Sequence, residues 1–236
     1  MPLMEIQVAV AKVGKYASSE SGDSFEMIER PHGGLSFVLV DGQRSGKSAK
    51  AISNLVARKA ISLMADGVRD GAAARASHDY LYTQRRGQVS ATLNILSVDL
   101  ESNSIRLACN NPVPAYVLNH SGLETVGEGS EQVGVRRVTK PVIKEYPLSG
   151  GMACVVYTDG LTHAGDRRGA HLDIAAALHR LSLDAPGDAR RWADDLLAEA
   201  LRLDEGRPSD DISVLVVAVR EGQRDEVRRL SVSLPV

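Results

Sequence analysis

The sequence predicts an α+β domain in which antiparallel sheets are covered on the outside by helices. Strand-like segments come first, followed by two helices, a long run of strands, two more helices and a final strand, which is not the alternation of a parallel α/β fold. The 236 residues are 43% apolar and 25% charged, which suits a soluble domain with a sizeable core. We predict one domain over residues 1–220. Residues 221–236 are predicted to be a C-terminal extension, either a late edge strand or a frayed end.

The first part of the chain predicts three strands followed by two helices. The first strand has alternating apolar and polar residues, and the next two form a hairpin across a Pro-His-Gly-Gly turn. The first helix has apolar residues at helical spacing and Ser45 as its start signal, and the second has a stripe made mostly of alanine. The predicted ranges are 4–13, 24–30 and 34–42 for the strands, and 46–64 and 71–86 for the helices.

The second part predicts six strands and two helices. Its strands are apolar segments joined by turn residues, and the last is almost continuously apolar, as expected of a buried strand. Trp192, Cys109 and Cys154 are predicted to be core residues, and the cysteines form neither a disulfide nor a metal pair. The predicted ranges are 88–100, 104–111, 114–120, 141–148, 152–160 and 211–220 for the strands, and 172–181 and 189–203 for the helices.

Composition argues against several classes of partner. The net charge of −2 provides no basic surface for nucleic acid. No run of 18 apolar residues is present, so we expect no membrane span. The first 15 residues have an acid where a signal peptide needs positive charge, and their apolar run is short. We therefore expect a cytoplasmic protein.

The stretch VLVDGQRSGKSA, residues 38–49, resembles the end of a phosphate-binding P-loop. A P-loop needs a glycine, four residues and then Gly-Lys-Ser/Thr, so that backbone N–H groups surround the phosphates. Here the position of that first glycine is occupied by Asp41, and Gly42 comes one residue too late. The spacing therefore favours the acid, rather than a nucleotide site, as the important feature.

Acids recur at the ends of apolar strands. Asp41-Gly42 and Asp159-Gly160 each follow such a strand, Asp210-Asp211 precede another, and Asp23 lies just before the second strand. Asp-Gly is also the commonest turn after a strand, so each pair alone is weak. Together, carboxylates held by rigid strands at one rim provide the clustered oxygen ligands that Mg²⁺ and Mn²⁺ prefer.

These motifs, with SGDSF, VSATLNILSVDL and CNNPVPA in the same order, resemble the metal-dependent PP2C-type serine/threonine phosphatases. They are most similar to the sporulation-stage-II-protein-E branch, over residues 20–218. The resemblance implies a four-layer αββα sandwich of two antiparallel sheets flanked by helices, with two Mn²⁺ or Mg²⁺ ions at one end. It also implies a phosphorylated protein substrate, possibly a STAS-domain anti-anti-sigma or stressosome protein.

The resemblance also assigns roles to individual residues. Asp41 bridges both metals and the Gly42 carbonyl binds one; Asp159 and Asp210 bind the second, and Asp23 supports it directly or through water. Asp41, Asp159 and Asp210 are thus the candidate catalytic residues. Asp211 is a weaker candidate ligand, and Thr92 and Asn110 line the site or support its loops. Two cations polarise the phosphate and activate a water for in-line attack, so no protein nucleophile is needed.

The sequence departs from this family just after Asp-Gly, where Gln43 and Arg44 replace small residues and a glycine. Arg44 has three possible roles. Its guanidinium group, which is suited to bidentate phosphate contacts, contacts the substrate phosphate; or it is a solvated turn residue; or it crowds the loop that carries the metal-binding Gly42. Lys47 is either a phosphate-steering charge or an exposed lysine. His163, in the loop after Asp159, is a candidate proton shuttle, although a lone loop histidine is more often incidental.

Three functions compete on this sequence. The leading one is a phosphoserine/phosphothreonine protein phosphatase. The second is a binding module with the same fold and a weakened site, which the Gln43-Arg44 replacement supports. The third is a nucleotide-binding kinase or ATPase, supported only by the Gly-Lys-Ser sequence.

Overall fold

A computed structural model describes residues 4–31, 33–222 and 227–234. It contains ten strands and five α-helices within these residues. The strands are β1 (Met4–Val13), β2 (Asp23–Glu29), β3 (Gly34–Asp41), β4 (Leu93–Asp99), β5 (Ser104–Asn110), β6 (Ala115–Asn119), β7 (Gly122–Val126), β8 (Val142–Pro147), β9 (Ala153–Tyr157) and β10 (Ile212–Glu221). The helices are α1 (Gly46–Ala65), α2 (Asp70–Arg85), α3 (Asp159–Thr162), α4 (Ile174–Asp184) and α5 (Ala189–Leu203).

The strands form two antiparallel sheets. Sheet one has the order β1-β10-β9-β6-β7, and sheet two the order β2-β3-β4-β5-β8. The last strand, β10, lies inside sheet one, where it pairs with β1 on one side and β9 on the other. Sheet one therefore joins the beginning of the chain to its end, whereas β2 to β5 of sheet two are successive in the chain.

Three apolar clusters fill the spaces between four layers. One lies between sheet one and helices α4 and α5 and includes Trp192, whose indole N–H donates to the Ala185 carbonyl at 2.8 Å. The second lies between the sheets and includes Phe37 and Leu215. The third joins sheet two to α1 and α2. The four-layer αββα sandwich is confirmed, and so is the core role of Trp192. Cys109 and Cys154 are confirmed as buried, free thiols.

Several predicted elements differ from the structure. β4 begins at Leu93 instead of residue 88, because residues 88–92 hold only an isolated bridge at Ala91. β7 was not predicted; its sequence, GLETV, is short and half polar, and it forms through a tight hairpin in which Asn119 pairs with Gly122. β9 ends at Tyr157, and Asp159 begins α3 instead of ending a strand.

The predicted C-terminal extension also differs. β10 continues to Glu221, where its pairing with Met4 of β1 ends. Residues 227–234 have no regular secondary structure, so these residues do not form the possible edge strand. Arg228 forms an ion pair with Glu29, at the end of β2. Residues 223–226 and 235–236, and His32 in the predicted hairpin turn, lie outside the described residues. Within the described part of the chain, no helix has the length and apolar character of a membrane span.

Candidate metal centre

The register of sheet two places two acids side by side. Asp23, the first residue of β2, pairs directly with Asp41, the last residue of β3. Directly paired residues of antiparallel strands have Cβ atoms about 5 Å apart. Both acids therefore lie at one rim of sheet two, as the sequence predicts.

Asp23 connects this rim to sheet one. Its Oδ2 atom accepts hydrogen bonds from the hydroxyls of Thr158 at 3.0 Å and Ser213 at 2.6 Å, residues that flank β9 and begin β10. Its Oδ1 atom is buried and has no hydrogen-bond partner. A buried carboxylate oxygen without a donor is costly, so this atom is suited to a cation or a water molecule.

Asp211 performs a different task from the other acids. Its side chain is buried and accepts backbone N–H groups from Lys15 at 2.8 Å and from Gly22 at 2.7 Å. Both carboxylate oxygens are thus used to hold the segment that leads into β2. Asp211 is a brace between the sheets, in keeping with its weaker standing as a ligand candidate.

Asp159 and Asp210 complete the group from the side of sheet one. Asp159 is the first residue of α3, and Asp210 immediately precedes Asp211 at the start of β10; both are half-buried. Burial, and next the charge of Asp210, raise the pKa of Asp159. The charge of His163 acts in the opposite direction, and the His163 backbone N–H donates to the Asp159 carbonyl at 3.0 Å, so this histidine does lie beside the site.

The acids are close enough to affect one another's ionisation. Burial, followed by the charges of Asp23, Asp159, Asp210 and Asp211, raises the pKa of Asp41 to about 9. Burial raises the pKa of Asp23 to about 6, against the opposing hydrogen bonds of Ser213 and Thr158. Carboxylates that repel one another in a partly dry site are the setting in which divalent cations bind.

The acids are not gathered into a complete coordination shell. Among the described residues, no three His, Cys, Asp or Glu side chains are close enough together to hold an ion as they stand. The oxygen-only donors and the unpartnered Asp23 oxygen nevertheless fit a hard cation such as Mg²⁺ or Mn²⁺.

The glycines of the two Asp-Gly pairs are needed for close backbone approach. Neither Gly42 nor Gly160 has a positive φ, so neither is a glycine-specific turn residue. A Cβ atom on Gly42 would lie 2.1 Å from the Ala49 carbonyl oxygen in α1, and one on Gly160 would lie 2.1 Å from the Asp211 carbonyl oxygen. Each glycine lets a neighbouring backbone segment lie against the loop that carries the acid. The interpretation of Asp-Gly as an ordinary turn after a strand does not explain this close approach.

A small ladder of hydrogen bonds holds the loop after β3. The Thr92 hydroxyl accepts the Asp41 N–H at 3.1 Å, and the Thr92 N–H donates to the Asp41 carbonyl at 2.9 Å. Gln43 donates its N–H to the Ser90 carbonyl at 3.0 Å, and its side-chain oxygen accepts the Ser90 N–H at 3.2 Å. Gln43 therefore stabilises the loop after β3.

Asn110, at the end of β5, supports a different loop. Its side-chain amide donates a hydrogen bond to the Glu131 carbonyl at 2.9 Å.

Arg44 has an unusual backbone conformation. Its φ is 78°, in the left-handed region that favours glycine, which gives a physical reason for the family's glycine after Asp-Gly. The Arg44 side chain is exposed, as is that of Lys47 at the start of α1. The structure thus places Arg44 on the outer surface of the loop, two residues beyond Gly42.

Two lysines that sequence reasoning missed lie at the same rim. The Nζ atoms of Lys12 in β1 and Lys50 in α1 each donate to the Asp23 carbonyl at 2.6 Å. Burial, and next the charge of Lys50, lower the pKa of Lys12. The two lysines are 38 positions apart and have no motif around them, so the sequence contained no signal for this pair.

Comparisons with known sequences identify a family for this chain. The profile of the Stage II sporulation protein E (SpoIIE) family matches residues 31–220. The chain is 21% identical over 214 residues to Stage II sporulation protein E of Bacillus subtilis (strain 168), covering 91% of this chain and 26% of that protein. It therefore spans about a quarter of the length of that curated relative.

Solved structures share the fold. The phosphatase domain of SpoIIE from Bacillus subtilis, with a fragment of its regulatory domain, has a TM-score of 0.77 at 18% identity, covering 94% of this chain and 65% of that chain. RsbX in complex with magnesium has a TM-score of 0.68 at 18% identity, covering 93% and 100%. The catalytic domain of the serine/threonine phosphatase PstP with two manganese ions has a TM-score of 0.69 at 17% identity, covering 92% and 100%.

Proposed function

Because this chain belongs to the SpoIIE family, we propose that it hydrolyses phosphoserine or phosphothreonine in a protein substrate with the aid of two divalent cations. The proximity of Asp23, Asp41, Asp159 and Asp210 carries the proposal, since Asp23 and Asp41 are paired and the charges of Asp159 and Asp210, from the other sheet, act on Asp41. Family membership also argues against a nucleotide-binding kinase. The Gly46-Lys47-Ser48 sequence belongs to the start of α1 and lacks the P-loop spacing.

The proposed ligands follow the rim. Asp41, the Gly42 carbonyl, Asp159 and Asp210 would hold the two ions, with Asp41 shared between them and Asp23 as a direct or water-mediated support. When bound, two such cations polarise phosphate oxygens and lower the pKa of water so that it attacks phosphorus. The manganese and magnesium in the PstP and RsbX structures support this choice of ions.

The protein groups around the rim have separate tasks. Thr92 and Gln43 keep the Asp41 loop in place, and Thr158 and Ser213 orient Asp23. A cysteine nucleophile is disfavoured, because burial raises the pKa of Cys109 to about 12 and also raises that of Cys154. Exposed Arg44 is placed to meet the phosphate dianion as it approaches the loop.

A STAS-domain regulator is the substrate we infer from the family resemblance. Its recognition requires the acids to be presented at an open rim, which half-buried Asp41, Asp159 and Asp210 allow. This part of the proposal does not follow from the chemistry of the site, since the same chemistry accepts many phosphoproteins. It requires a test with a phosphorylated STAS domain beside an unrelated phosphoprotein.

The decisive experiment is hydrolysis of an aryl phosphate with Mn²⁺ and with EDTA. We expect Mn²⁺-dependent turnover that Asp41→Asn abolishes, and a rise in melting temperature with Mn²⁺ that the same variant loses. Mn²⁺ binding without turnover would instead favour a phosphatase-fold binding module, the second hypothesis. Stabilisation by ATP without Mn²⁺ binding would contradict both.

A further inference from the structure

Lys12 and Lys50 bring two ammonium groups to a single point of the structure. Lys12 belongs to β1, at the edge of sheet one, and Lys50 to the first turns of α1, outside sheet two. Their Nζ atoms lie at most 5.2 Å apart, because each is 2.6 Å from the same Asp23 carbonyl oxygen. Lys50 also donates to the Ser24 hydroxyl at 3.1 Å. Two layers of the sandwich therefore supply one cationic pair.

Neutral groups accept all of these hydrogen bonds. Among the described residues, neither lysine forms an ion pair with a carboxylate, although nine arginines do so elsewhere in the molecule: Arg30, Arg106, Arg136, Arg168, Arg190, Arg191, Arg202, Arg220 and Arg228. Two like charges held this close repel one another unless an anion lies between or beside them. The charges of the Asp23 and Asp211 carboxylates act on Lys12, but neither carboxylate accepts a described hydrogen bond from the two lysines, so the pair keeps donors for a further anion.

The pair has unused donors and is accessible. An ammonium group has three N–H donors, of which Lys12 uses one and Lys50 uses two in the described hydrogen bonds. The Lys12 side chain is exposed and that of Lys50 is half-buried, so an anion from solvent can reach both. Three donors from two cations suit an oxyanion with several oxygens, such as a phosphate group.

The pair also lies beside the acids of the proposed active site. Lys12 stands opposite Ser213 in the pairing of β1 with β10, and the Ser213 hydroxyl donates to Asp23 Oδ2. Both cations contact the main-chain carbonyl of Asp23, whose side chain is a proposed metal ligand. An anion held there lies next to the carboxylate rim.

We propose that Lys12 and Lys50 form a phosphate-binding subsite of the active site, which holds an oxygen of the substrate phosphate or of the released phosphate ion. The inference rests on the proposed phosphatase function. It differs from the assignment of Arg44, which lies on the loop after β3, because it places the cationic contacts at the Asp23 backbone, on β1 and α1.

The alternative is a bracing role, in which the lysines only hold the Asp23 backbone and cover the open edge of β2. The two roles predict different losses. A bracing role predicts that Lys50→Met weakens Mn²⁺ binding through displacement of Asp23. A phosphate subsite predicts that Mn²⁺ binding is kept and that phosphate binding is lost.

The test uses the full chain and measures Mn²⁺ binding and inorganic phosphate binding to the Mn²⁺-saturated protein by calorimetry. Lys12→Met and Lys50→Met should each weaken phosphate binding about tenfold or more, the loss of one charge-assisted hydrogen bond. Mn²⁺ affinity should change less than about twofold, and Lys50→Arg should restore most of the phosphate affinity. Lys144→Met, an exposed strand lysine on β8, is the matched control and should change neither.

Kinetics separate the two sources of the phosphate group. If the subsite holds the substrate, Lys50→Met raises KM for a phosphopeptide; if it holds only the product, KM is kept and the inhibition constant of free phosphate rises. Unchanged phosphate binding in both methionine variants, or loss of Mn²⁺ affinity in step with phosphate affinity, would overturn the proposal. A wild-type protein that binds Mn²⁺ and phosphate but hydrolyses nothing would contradict the phosphatase function and leave the subsite intact.

Discussion

Replacing Gly42 by alanine tests how tightly the loop after β3 must pack on α1. The added Cβ atom would lie 2.1 Å from the Ala49 carbonyl oxygen, 2.8 Å from the Ala49 carbonyl carbon and 3.1 Å from the Ser53 nitrogen. All three are backbone atoms of one helix, so no side-chain rotation relieves the contact. An ordinary contact needs about 3.4 Å, so the loop and α1 must separate by more than an ångström.

This separation should cost about 1–3 kcal/mol, the usual cost of overpacking a well-packed site. For a chain of this size, that loss lowers the melting temperature by roughly 2–12 °C, at about 2–4 °C per kcal/mol. Because the Gly42 carbonyl is a proposed ligand on the same loop, Mn²⁺ affinity should fall as well.

The assay is thermal unfolding in EDTA, which separates packing from metal binding, followed by Mn²⁺ titration. Gly150→Ala is the matched control, because Gly150 has no positive φ and no atom within 4 Å of its added Cβ. Its free energy of unfolding should stay within about 0.5 kcal/mol of the wild type, as is usual for a surface substitution, so its melting temperature should change by no more than roughly 2 °C. If Gly42→Ala unfolds at the same temperature as Gly150→Ala, the close approach of α1 to the loop is not a constraint.

Three further predictions concern the rim. The metal-free protein should lose stability as the pH rises from about 4 to 9. The reason is that the pKa of Asp41 is raised to about 9 in the folded state, which therefore keeps a proton that the unfolded state has released. Thermal unfolding in EDTA across this pH range should show a weaker dependence of stability on pH for Asp41→Asn than for the wild type. Arg44→Ala should lower kcat/KM for a phosphoprotein about 10- to 100-fold, because it removes a charge-assisted hydrogen bond worth roughly 1.5–3 kcal/mol. The Mn²⁺ affinity should not change. A rise in kcat/KM would show instead that Arg44 crowds the site. Rapid quenching with ³²P-labelled substrate should trap no phosphoryl group on Cys, Ser or His, and a trapped one would contradict direct attack by water.

Much of the architecture could be predicted from hydrophobic periodicity. The range of α5, residues 189–203, agrees at both ends, because its apolar stripe is a local signal. In the structure the Asp188 side chain caps this helix by accepting the Arg191 N–H. β7 could not be predicted in this way, since its stability comes from pairing with β6. The apolar run over 152–160 predicts a strand that ends at Asp159, whereas β9 ends at Tyr157 and α3 begins at Asp159.

The site was predictable only as a set of residue types. The acids stand out because each adjoins an apolar strand, but the direct pairing of Asp23 with Asp41 depends on register. The reason for Gly42 was also hidden, because a contact with α1 leaves no trace in the Asp-Gly sequence. Lys12 and Lys50 were missed since a long-range contact to a backbone carbonyl has no sequence pattern.

The bonds across the rim join parts of the chain that are synthesised far apart in time. Asp23 meets Ser213 across 190 positions, and Gly22 meets Asp211 across 189. A nascent chain that has not yet emerged beyond α5 has Asp23 and Asp41 but neither Asp210 nor β10, the strand that joins β1 to β9. The acids of the two sheets therefore come together only after nearly all of the domain has left the ribosome. A partial translation product lacks Asp210 and the hydrogen bonds that join Asp23 and Gly22 to β10 and the residue before it.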